Sequence, residues 1–312
     1  LHPNMNPTGT DTLRWSSYNP NATNVSDKED FNLRYCYGPA PGREWWWFDG
    51  KNLELRIPAY RCGEEAMIEL FEKPNKPPYF GSYHLLNASI VYPNLFNELV
   101  CPMCYGTGKD VVTKEPCSCN KIKVPMWSIE GAFKKRYEPT WYKRCKGGGF
   151  AIQYGCGEKK ADLTFGVKGA YRMLKEKLPK MAALSNQCLA MAVKMGYVET
   201  IPDRSVCAER GYPILASRTE DGYVLPTTPL NYMVQSTAMQ WTNKGMVRCT
   251  EQIKEWNKDG WDGFLTMQIH DEIVVDAPRG VGAEPWRTNL PRARKIKKLM
   301  ERGGDDIGVP TA

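Results

Sequence analysis

Three adjacent polar residues, His270, Asp271 and Glu272, offer the clearest chemistry in the sequence, because they separate two apolar, β-branched runs. Pro278 closes the second run, so the pattern predicts a β-hairpin with the two acids at its tip. Neighbouring carboxylates on a rigid turn repel each other and lose hydration unless a cation lies between them. The triplet therefore indicates a divalent-cation site, although an isolated triplet of this kind is equally typical of a solvated turn.

A second acid, Asp49, ends the aromatic run Glu44–Asp49. So dense a run of aromatic side chains predicts a strand that is buried on both faces, with Asp49 at its end and therefore at the mouth of the fold. One aspartate at the end of a buried strand and another on a hairpin are the ligands that hold two Mg²⁺ ions for phosphoryl transfer. The sequence thus favours a two-metal site formed by Asp49 and Asp271.

Three ordered motifs give these acids a family context. Residues 49–57 (DGKNLELRI) resemble motif A of the family A, or polymerase I type, DNA polymerases, and residues 268–272 (QIHDE) resemble motif C. Between them, Lys146, Phe150 and Tyr154 recur every four residues, lie on one helical face and resemble motif B. Further similarity covers residues 8–24 and 231–240. The chain resembles a phage-like member of this family over nearly its whole length.

The resemblance implies a fold class and a domain order. We expect an α/β (α+β) protein in which an antiparallel palm sheet carries Asp49 and Asp271, with a mostly helical fingers insertion between them. The expected domains are an N-terminal part of the palm at 1–60, fingers at 61–225 and a C-terminal part of the palm at 226–312. A zinc-binding insertion is expected within the fingers at 98–122.

The implied reaction is template-directed attack of a primer 3′-hydroxyl on a dNTP, with primer–template DNA and dNTPs as partners. Asp49 and Asp271 would bridge two Mg²⁺ ions, Glu272 would support that site, and Lys146 would neutralise the phosphates and donate a proton to pyrophosphate. The residues implied to bind the nucleotide are Glu54 (as a steric gate against the 2′-hydroxyl), His84, Lys143, Phe150 and Tyr154. Those implied to bind DNA are Arg14, Asn231, Gln235 and His270.

The sequence also departs from the family pattern. Tyr142 stands where the family has an arginine, and Lys143 is the neighbouring cation that could replace it. Ser82 and Thr227 stand where the family commonly has an acid and an arginine. The run Gly147–Gly149 places three poor helix formers inside motif B, which we interpret as softness in a helix that must move.

Four cysteines outside these motifs, Cys101, Cys104, Cys117 and Cys119, form two close pairs. Their thiolates suit tetrahedral Zn²⁺, and the leading CPxCxGxG resembles a knuckle of the zinc region of J-domain co-chaperones. The second pair is CxC rather than CxxC, so four free surface thiols remain the alternative. We interpret the site as a structural zinc site that stabilises an insertion in the fingers.

Composition sets broader limits. Lys and Arg outnumber Asp and Glu by 42 to 35, giving a net charge of +7, which permits but does not prove nucleic-acid binding. No stretch approaches the roughly 18 apolar residues of a membrane span, and no leader is predicted. Eleven scattered cysteines favour a reducing cytosol, that of the host if the protein is viral. The basic segment 287–302 predicts a helix that either contacts the DNA backbone or is simply solvated.

Three other functions remain open. A single-subunit RNA polymerase has a similar arrangement of palm carboxylates, although Glu54 and the His-Asp-Glu tip favour the synthesis of DNA. A zinc-dependent binding module would explain the cysteines alone. Because family members carry a thumb, and often an exonuclease, ahead of the point where Leu1 stands, the chain could also be a fragment that binds DNA or nucleotide and is weakly active or inactive without that missing portion.

Overall fold

The computed structural model describes residues 4–7, 9–19, 21, 37–104, 109–110, 112–117, 123–128, 140–206, 209–281 and 284–310. The fold is α/β, as expected. Two compact units divide the chain: the first contains Leu1–Ile57, Met195–Ala216 and Asn231–Ala312, and the second contains Pro58–Lys194 and Ser217–Leu230. Within the described residues, no helix combines the length and the apolar character needed to cross a membrane.

The regular elements are short strands and longer helices. The strands are β1 (Asn4–Asn6), β2 (Ser16–Tyr18), β3 (Arg43–Asp49), β4 (Leu99–Val100), β5 (Val124–Pro125), β6 (Tyr197–Glu199), β7 (Pro213–Leu215), β8 (Phe264–Ile269) and β9 (Glu272–Pro278). The helices are α1 (Leu53–Cys62), α2 (Glu65–Glu72), α3 (Tyr83–Val91), α4 (Pro93–Phe96), α5 (Trp141–Gln153), α6 (Glu158–Phe165), α7 (Ala170–Lys177), α8 (Pro179–Met195), α9 (Pro229–Lys258) and α10 (Pro285–Ile307). Short 3₁₀ turns lie at Met126–Ser128 and Arg204–Val206.

The main sheet of the first unit is antiparallel, with strand order β3-β9-β8. The predicted hairpin is confirmed: β8 and β9 are joined by the two-residue turn His270–Asp271. The central strand β9 is almost wholly apolar, and Ile273, Val274 and Val275 are completely buried. Burial of these β-branched side chains favours the strand and fixes its register, since a shift by one residue would turn them outwards.

The prediction that the aromatic strand is buried on both faces was wrong. In the described sheet β3 is an edge strand that pairs with β9 alone, and Trp47 is 44% exposed. Its neighbours are half-buried: Trp45 Nε1 donates to Asp276 at 2.7 Å, and the Trp46 ring packs against that of Trp261. The dense run of aromatic side chains in β3 therefore reflects packing of rings along the edge strand of the sheet.

Two long helices support the sheet of the first unit. Helix α9 is 30 residues long, and α10 contains the predicted 287–302 helix. The two helices pack closely at Gly245 of α9, where an added Cβ would meet the Met300 side chain of α10 at less than 3.0 Å. Cys249 Sγ also lies 3.8 Å from the carbonyl oxygen of Ile296. Such close approach requires a small residue on one helix.

Residues 195–216 lie within the 61–225 segment that we predict to be the fingers, and by their contacts they cluster with the first unit. The β6–β7 pair of this segment leads into Ile201, whose N–H donates to Thr237 Oγ1 on α9 at 3.1 Å. Asp203, which is 1% exposed, forms an ion pair with Lys244 on the same helix. These long-range contacts join residues 195–216 to helix α9 of the first unit, and no local sequence pattern predicts them.

The second unit is mostly helical. Helix α3 begins after Ser82, whose hydroxyl accepts from the N–H of Leu85 at 3.3 Å and caps the first turn. Helix α8 ends at Met195, and Gly196 follows in a left-handed conformation with φ +80°. A buried core lies among these helices and contains Phe96, Met126 and Phe165.

Gly148 and Gly149 on α5 have a different role from the softness that we inferred. A Cβ at Gly148 would lie less than 3.0 Å from the Phe165 ring, and one at Gly149 would lie less than 3.0 Å from the Asn87 amide. Both glycines are buried inside a continuous helix. They allow α5 to approach α6 and α3, so packing explains them without any motion.

Candidate active site

Three carboxylates meet at one end of the sheet in the first unit. Asp49 is the last residue of β3 and lies opposite Glu272, the first residue of β9, in the antiparallel register. Asp271 occupies the turn immediately before β9. The predicted convergence of Asp49 and Asp271 therefore follows from one strand pair and one tight turn.

The turn that carries Asp271 has an unusual backbone. His270 has φ +56°, in the left-handed region that few side chains adopt readily. The buried Gln268 side chain donates from Nε2 to the His270 carbonyl and so links the end of β8 to the turn. The His270 side chain itself is exposed.

The carboxylates influence one another strongly. Asp271 is half-buried, and this burial, reinforced by the charge of Asp49 and then of Glu54, raises the pKa of Asp271 from 3.8 to about 6. Its backbone N–H and the charge of Arg14 act in the opposite direction. Carboxylates in this arrangement resist simultaneous ionisation unless a cation joins them. Asp49 and Asp271 therefore have the chemistry of a divalent-cation site with oxygen ligands.

Arg14 provides a protein cation within this acidic group. Its Nη2 donates to Glu54 Oε1 in an ion pair whose two side chains are each 26% exposed. Glu54 lies in the first turn of α1, and the Arg14 carbonyl accepts from the Thr10 hydroxyl at 2.9 Å. Both residues are predicted site residues, but no pattern in the sequence indicates that they pair with each other.

The two amide residues named for DNA contact lie near the start of α9. Asn231 and Gln235 are four residues apart, so they share one face of the helix, and both are half-buried. Asn231 Oδ1 is buried and accepts no hydrogen bond from the described residues. An amide pair on one face supplies donors and acceptors suited to base edges in a minor groove.

In the second unit, α5 presents the predicted stripe. Lys143 and Lys146 are exposed, Phe150 is half-buried, and Tyr154 follows the last helical residue as the C-cap. The rings of Phe150 and Tyr154 stack, with centroids 6.2 Å apart and an interplanar angle of 15°. Two cations and two stacked rings are thus arranged along about three turns of one helix.

His84 on α3 packs against this stripe. Its ring centroid lies 5.9 Å from that of Phe150 and 5.5 Å from that of Tyr142. Burial, together with the charge of Lys146, lowers the pKa of His84 from 6.5 to about 4. The imidazole is therefore neutral at pH 7 and can offer a hydrogen bond but no positive charge.

Three of the four predicted zinc ligands come together. The sulfur atoms of Cys101, Cys104 and Cys117 all lie within 4.8 Å of one another, with Cys101 and Cys117 at 3.9 Å. Cys101 and Cys104 are buried. Cys119 lies outside the described residues. The three thiols have the donor set and spacing of a tetrahedral zinc site that still needs one ligand.

A cavity of about 350 Å³ beside Asp49 was not anticipated. Trp47, Lys51 and Trp241 contribute to its wall. Gly50, next to Asp49, allows the Trp241 ring to approach, because a Cβ there would lie 3.0 Å from that ring. In the sequence, the local signal of this close approach was Gly50, the glycine that follows Asp49.

Comparison with known proteins identifies the family to which this fold belongs. Residues 131–306 match the family model for DNA polymerase family A. The match covers more than half of the chain, and the chain belongs to DNA polymerase family A.

Several relatives have names that describe DNA polymerases. The chain is 23% identical over 292 residues to a thermostable DNA polymerase I of Thermus caldophilus, covering 91% of this chain and 28% of that protein. It is 25% identical over 288 residues to the chloroplastic/mitochondrial DNA polymerase I A of Arabidopsis thaliana, covering 86% and 24%. The chain thus spans about a quarter of the length of these curated relatives.

A solved structure has the same fold. The POL domain of Pol1 from M. smegmatis, in complex with DNA primer-template and dNTP, superposes with a TM-score of 0.69 at 18% identity. The superposition covers 100% of this chain and 46% of that one. The α/β architecture is therefore that of a polymerase domain.

Proposed function

We propose that this chain catalyses template-directed DNA synthesis, in which a primer 3′-hydroxyl attacks the α-phosphate of a dNTP and pyrophosphate leaves. The observation that carries the proposal is the convergence of Asp49 and Asp271, which is close enough for the charge of Asp49 to raise the pKa of Asp271. Membership of DNA polymerase family A supplies the reaction for which such a pair is suited.

Asp49 and Asp271 would hold two Mg²⁺ ions, and Glu272 would support them from the neighbouring register position. When bound, such ions lower the pKa of the attacking hydroxyl and stabilise charge on the leaving group. The carboxylates of this chain position the ions and supply the negative charge that retains them. The raised pKa of Asp271 supports this role, because burial and then the charge of Asp49 disfavour its ionised form, and a bound cation would stabilise that form.

The remaining residues would bind the substrates. Exposed Lys143 and Lys146 would neutralise the triphosphate, and Lys146 would protonate the departing pyrophosphate. The rings of Phe150 and Tyr154 would stack with the sugar and base, and neutral His84 would donate a hydrogen bond to a phosphate oxygen. Glu54 would exclude a ribose 2′-hydroxyl, while Arg14, Asn231, Gln235 and His270 would contact the primer–template. In this proposal, the first unit is the palm and the second the fingers.

We also propose a structural Zn²⁺ held by Cys101, Cys104, Cys117 and Cys119. The mutual approach of the first three sulfurs supports it, since a tetrahedral zinc ion needs ligands gathered in this way.

No disulfide joins the eight cysteines that the structure describes, which suits a reducing compartment such as the cytosol.

Primer extension tests the proposed reaction. Asp271→Asn removes one metal ligand and should abolish extension, whereas Asp259→Asn, a change to an exposed acid in the same unit, should leave the rate unchanged. Extension that is equally fast in both variants would refute the assignment. Replacing dNTPs by rNTPs separates DNA synthesis from the single-subunit RNA polymerase alternative.

A second candidate is a polymerase portion that binds DNA but extends it weakly by itself. The observation in its favour is that the chain spans about a quarter of the length of the relatives named above. Tight duplex binding depends on many phosphate contacts, and each one lost lowers a salt-sensitive affinity. DNA binding with slow extension that Asp271→Asn abolishes would support this candidate, and rapid extension would exclude it.

A further inference from the structure

The positive charge of the chain is concentrated on α10. Residues 287–302 contain seven arginine or lysine side chains and one carboxylate, a net charge of +6; with Asp305 and Asp306 the whole helix has a net charge of +4, against +7 for the whole chain. This one helix therefore carries more than half of the net charge of the chain. A charge excess concentrated on one helix differs from the evenly mixed surface of an ordinary soluble protein.

The interior face of α10 is well anchored. Ile296, Leu299 and Met300 are each no more than 8% exposed, and Met300 lies against Gly245 of α9. This anchoring fixes the rotation of the helix, so that the opposite side faces solvent. Arg294, Lys295, Lys298 and Arg302 are exposed on that side, and we refer to these four residues as the basic stripe.

The other cations of α10 already have partners. Lys297 pairs with Glu301, Arg287 pairs with Glu284 at 2.6 Å, and Arg292 lies over the Trp256 and Trp261 rings. In contrast, the four residues of the basic stripe form no ion pair with any described residue. Their charges are available to an external anion.

The spacing of the stripe suits an extended polyanion. Arg294, Lys298 and Arg302 are four residues apart, which places successive side chains on one face with a rise of about 6 Å between them. A nucleic-acid strand offers negative charges at regular short intervals along its backbone, and contacts to them need no particular base sequence.

Other partners fit the stripe less well. A protein interface needs an apolar or aromatic centre, and the stripe contains no large apolar side chain. A helix that lies on a membrane inserts its apolar face, but that face of α10 is occupied by Ile296, Leu299 and Met300 packed inside the first unit.

We propose that the basic stripe binds the sugar–phosphate backbone of a nucleic acid without sequence preference, as a contact separate from the acidic centre at Asp49 and Asp271. This binding does not depend on the proposed polymerisation, because the stripe includes none of the residues assigned to that reaction. It would add affinity and salt sensitivity, and leave the chemical step unchanged.

The salt dependence of DNA binding tests the proposal. The test variant is R294Q/K295Q/K298Q/R302Q, and the control is K159Q/K160Q/K177Q/K194Q, which removes four exposed helical lysines of the second unit. The slope of log affinity against log salt should fall by about 0.9 per lost contact on duplex DNA and about 0.7 on single strands. Four contacts thus predict a loss of about 3.6 or 2.8, against little change in the control.

Further readouts separate the outcomes. Circular dichroism and thermal melting establish that the test variant is folded, and its extension rate at saturating DNA should equal that of the unsubstituted chain. Asp271→Asn should abolish extension while keeping the full salt slope, so failure of the proposed reaction is distinguishable from failure of this contact. A slope that is unchanged relative to the control overturns the proposal. The proposal is also overturned if the test variant loses binding only to polyglutamate, or only to phosphatidylserine vesicles, and still binds DNA as the control does.

Discussion

Asp49 and Glu272 face each other across the β3–β9 pair, and this one register position places Asp271, in the adjacent turn, beside Asp49. Asp49 and Asp271 are over two hundred residues apart in sequence, yet a single antiparallel strand pair and the adjacent turn fix their proximity. Burial of Asp271, reinforced by the charge of Asp49, raises its pKa to about 6.

The ionisation of Asp271 should make metal-free stability depend on pH. Its folded-state pKa, about 6, lies above the ordinary value of 3.8, so the folded state binds the proton more tightly. The associated stability is present below pH 4 and is lost as pH rises through 6, by on the order of 2 kcal/mol. Thermal melts with EDTA between pH 4 and 8 should show this loss, and Asp271→Asn should remove it.

Magnesium provides the matching control for that titration. At pH 7.5, added Mg²⁺ should raise the melting temperature of the unsubstituted chain more than that of Asp271→Asn, because the ion binds the folded carboxylates. Identical pH profiles for the two chains would show that Asp271 does not interact with Asp49 as described.

The Arg14–Glu54 ion pair should affect sugar selection if Glu54 is the steric gate. Arg14→Gln removes the partner that orients the Glu54 carboxylate, and a partly exposed pair of this kind contributes about 1 kcal/mol. We expect the ratio of rNTP to dNTP incorporation, measured as kcat/KM, to rise about fivefold. Glu54→Ala should raise it further. A ratio unaffected by Arg14→Gln but raised by Glu54→Ala would restrict the role of Arg14 to DNA contact.

The glycines of α5 provide a matched steric test. Gly148→Ala should destabilise the second unit by about 2 kcal/mol, since the new Cβ would overlap the Phe165 ring. Gly147→Ala should instead stabilise by about 0.5–1 kcal/mol, because its nearest neighbour would be Thr164 Cγ2 at 3.6 Å and alanine favours a helix. Urea titration of both variants measures the difference. If the glycines served only flexibility, both substitutions would stabilise.

The cysteine cluster predicts a stoichiometric metal. The purified chain should contain about one Zn²⁺ per molecule by atomic absorption, and a chelator should lower its melting temperature. Cys117→Ser should reduce the zinc content at least tenfold, whereas Cys62→Ser, at a half-buried cysteine outside the cluster, should retain it. Equal zinc contents in the two variants would exclude Cys117 as a ligand.

The sequence predicted most of what depends on local pattern. From the sequence alone we predicted the turn within 268–272, the helical stripe of Lys146 and Phe150, and the helix at 287–302. These features are predictable because hydrophobic period, capping residues and turn residues act over a few positions. The strand that ends at Asp49 and the hairpin that carries Asp271 already suggested a shared site, and the resemblance to family A added the order of the three motifs.

What the sequence did not predict depends on long-range packing. The ion pair of Arg14 and Glu54 joins residues forty positions apart, and the placement of 195–216 with the first unit depends on contacts with Thr237 and Lys244. Helix propensity alone suggested a weak point at 147–149, whereas the tertiary neighbours of Gly148 determine its role. In each case the deciding atoms belong to a distant part of the chain.

The left-handed backbone at His270 restricts evolution at the position before Asp271. Asparagine, aspartate or glycine could adopt φ near +56° at little cost, whereas valine, isoleucine or threonine would place a branched Cβ against the main chain. Natural variants that keep an ordered turn should therefore draw on a narrow set of residues here, whether or not the imidazole itself ever touches a primer.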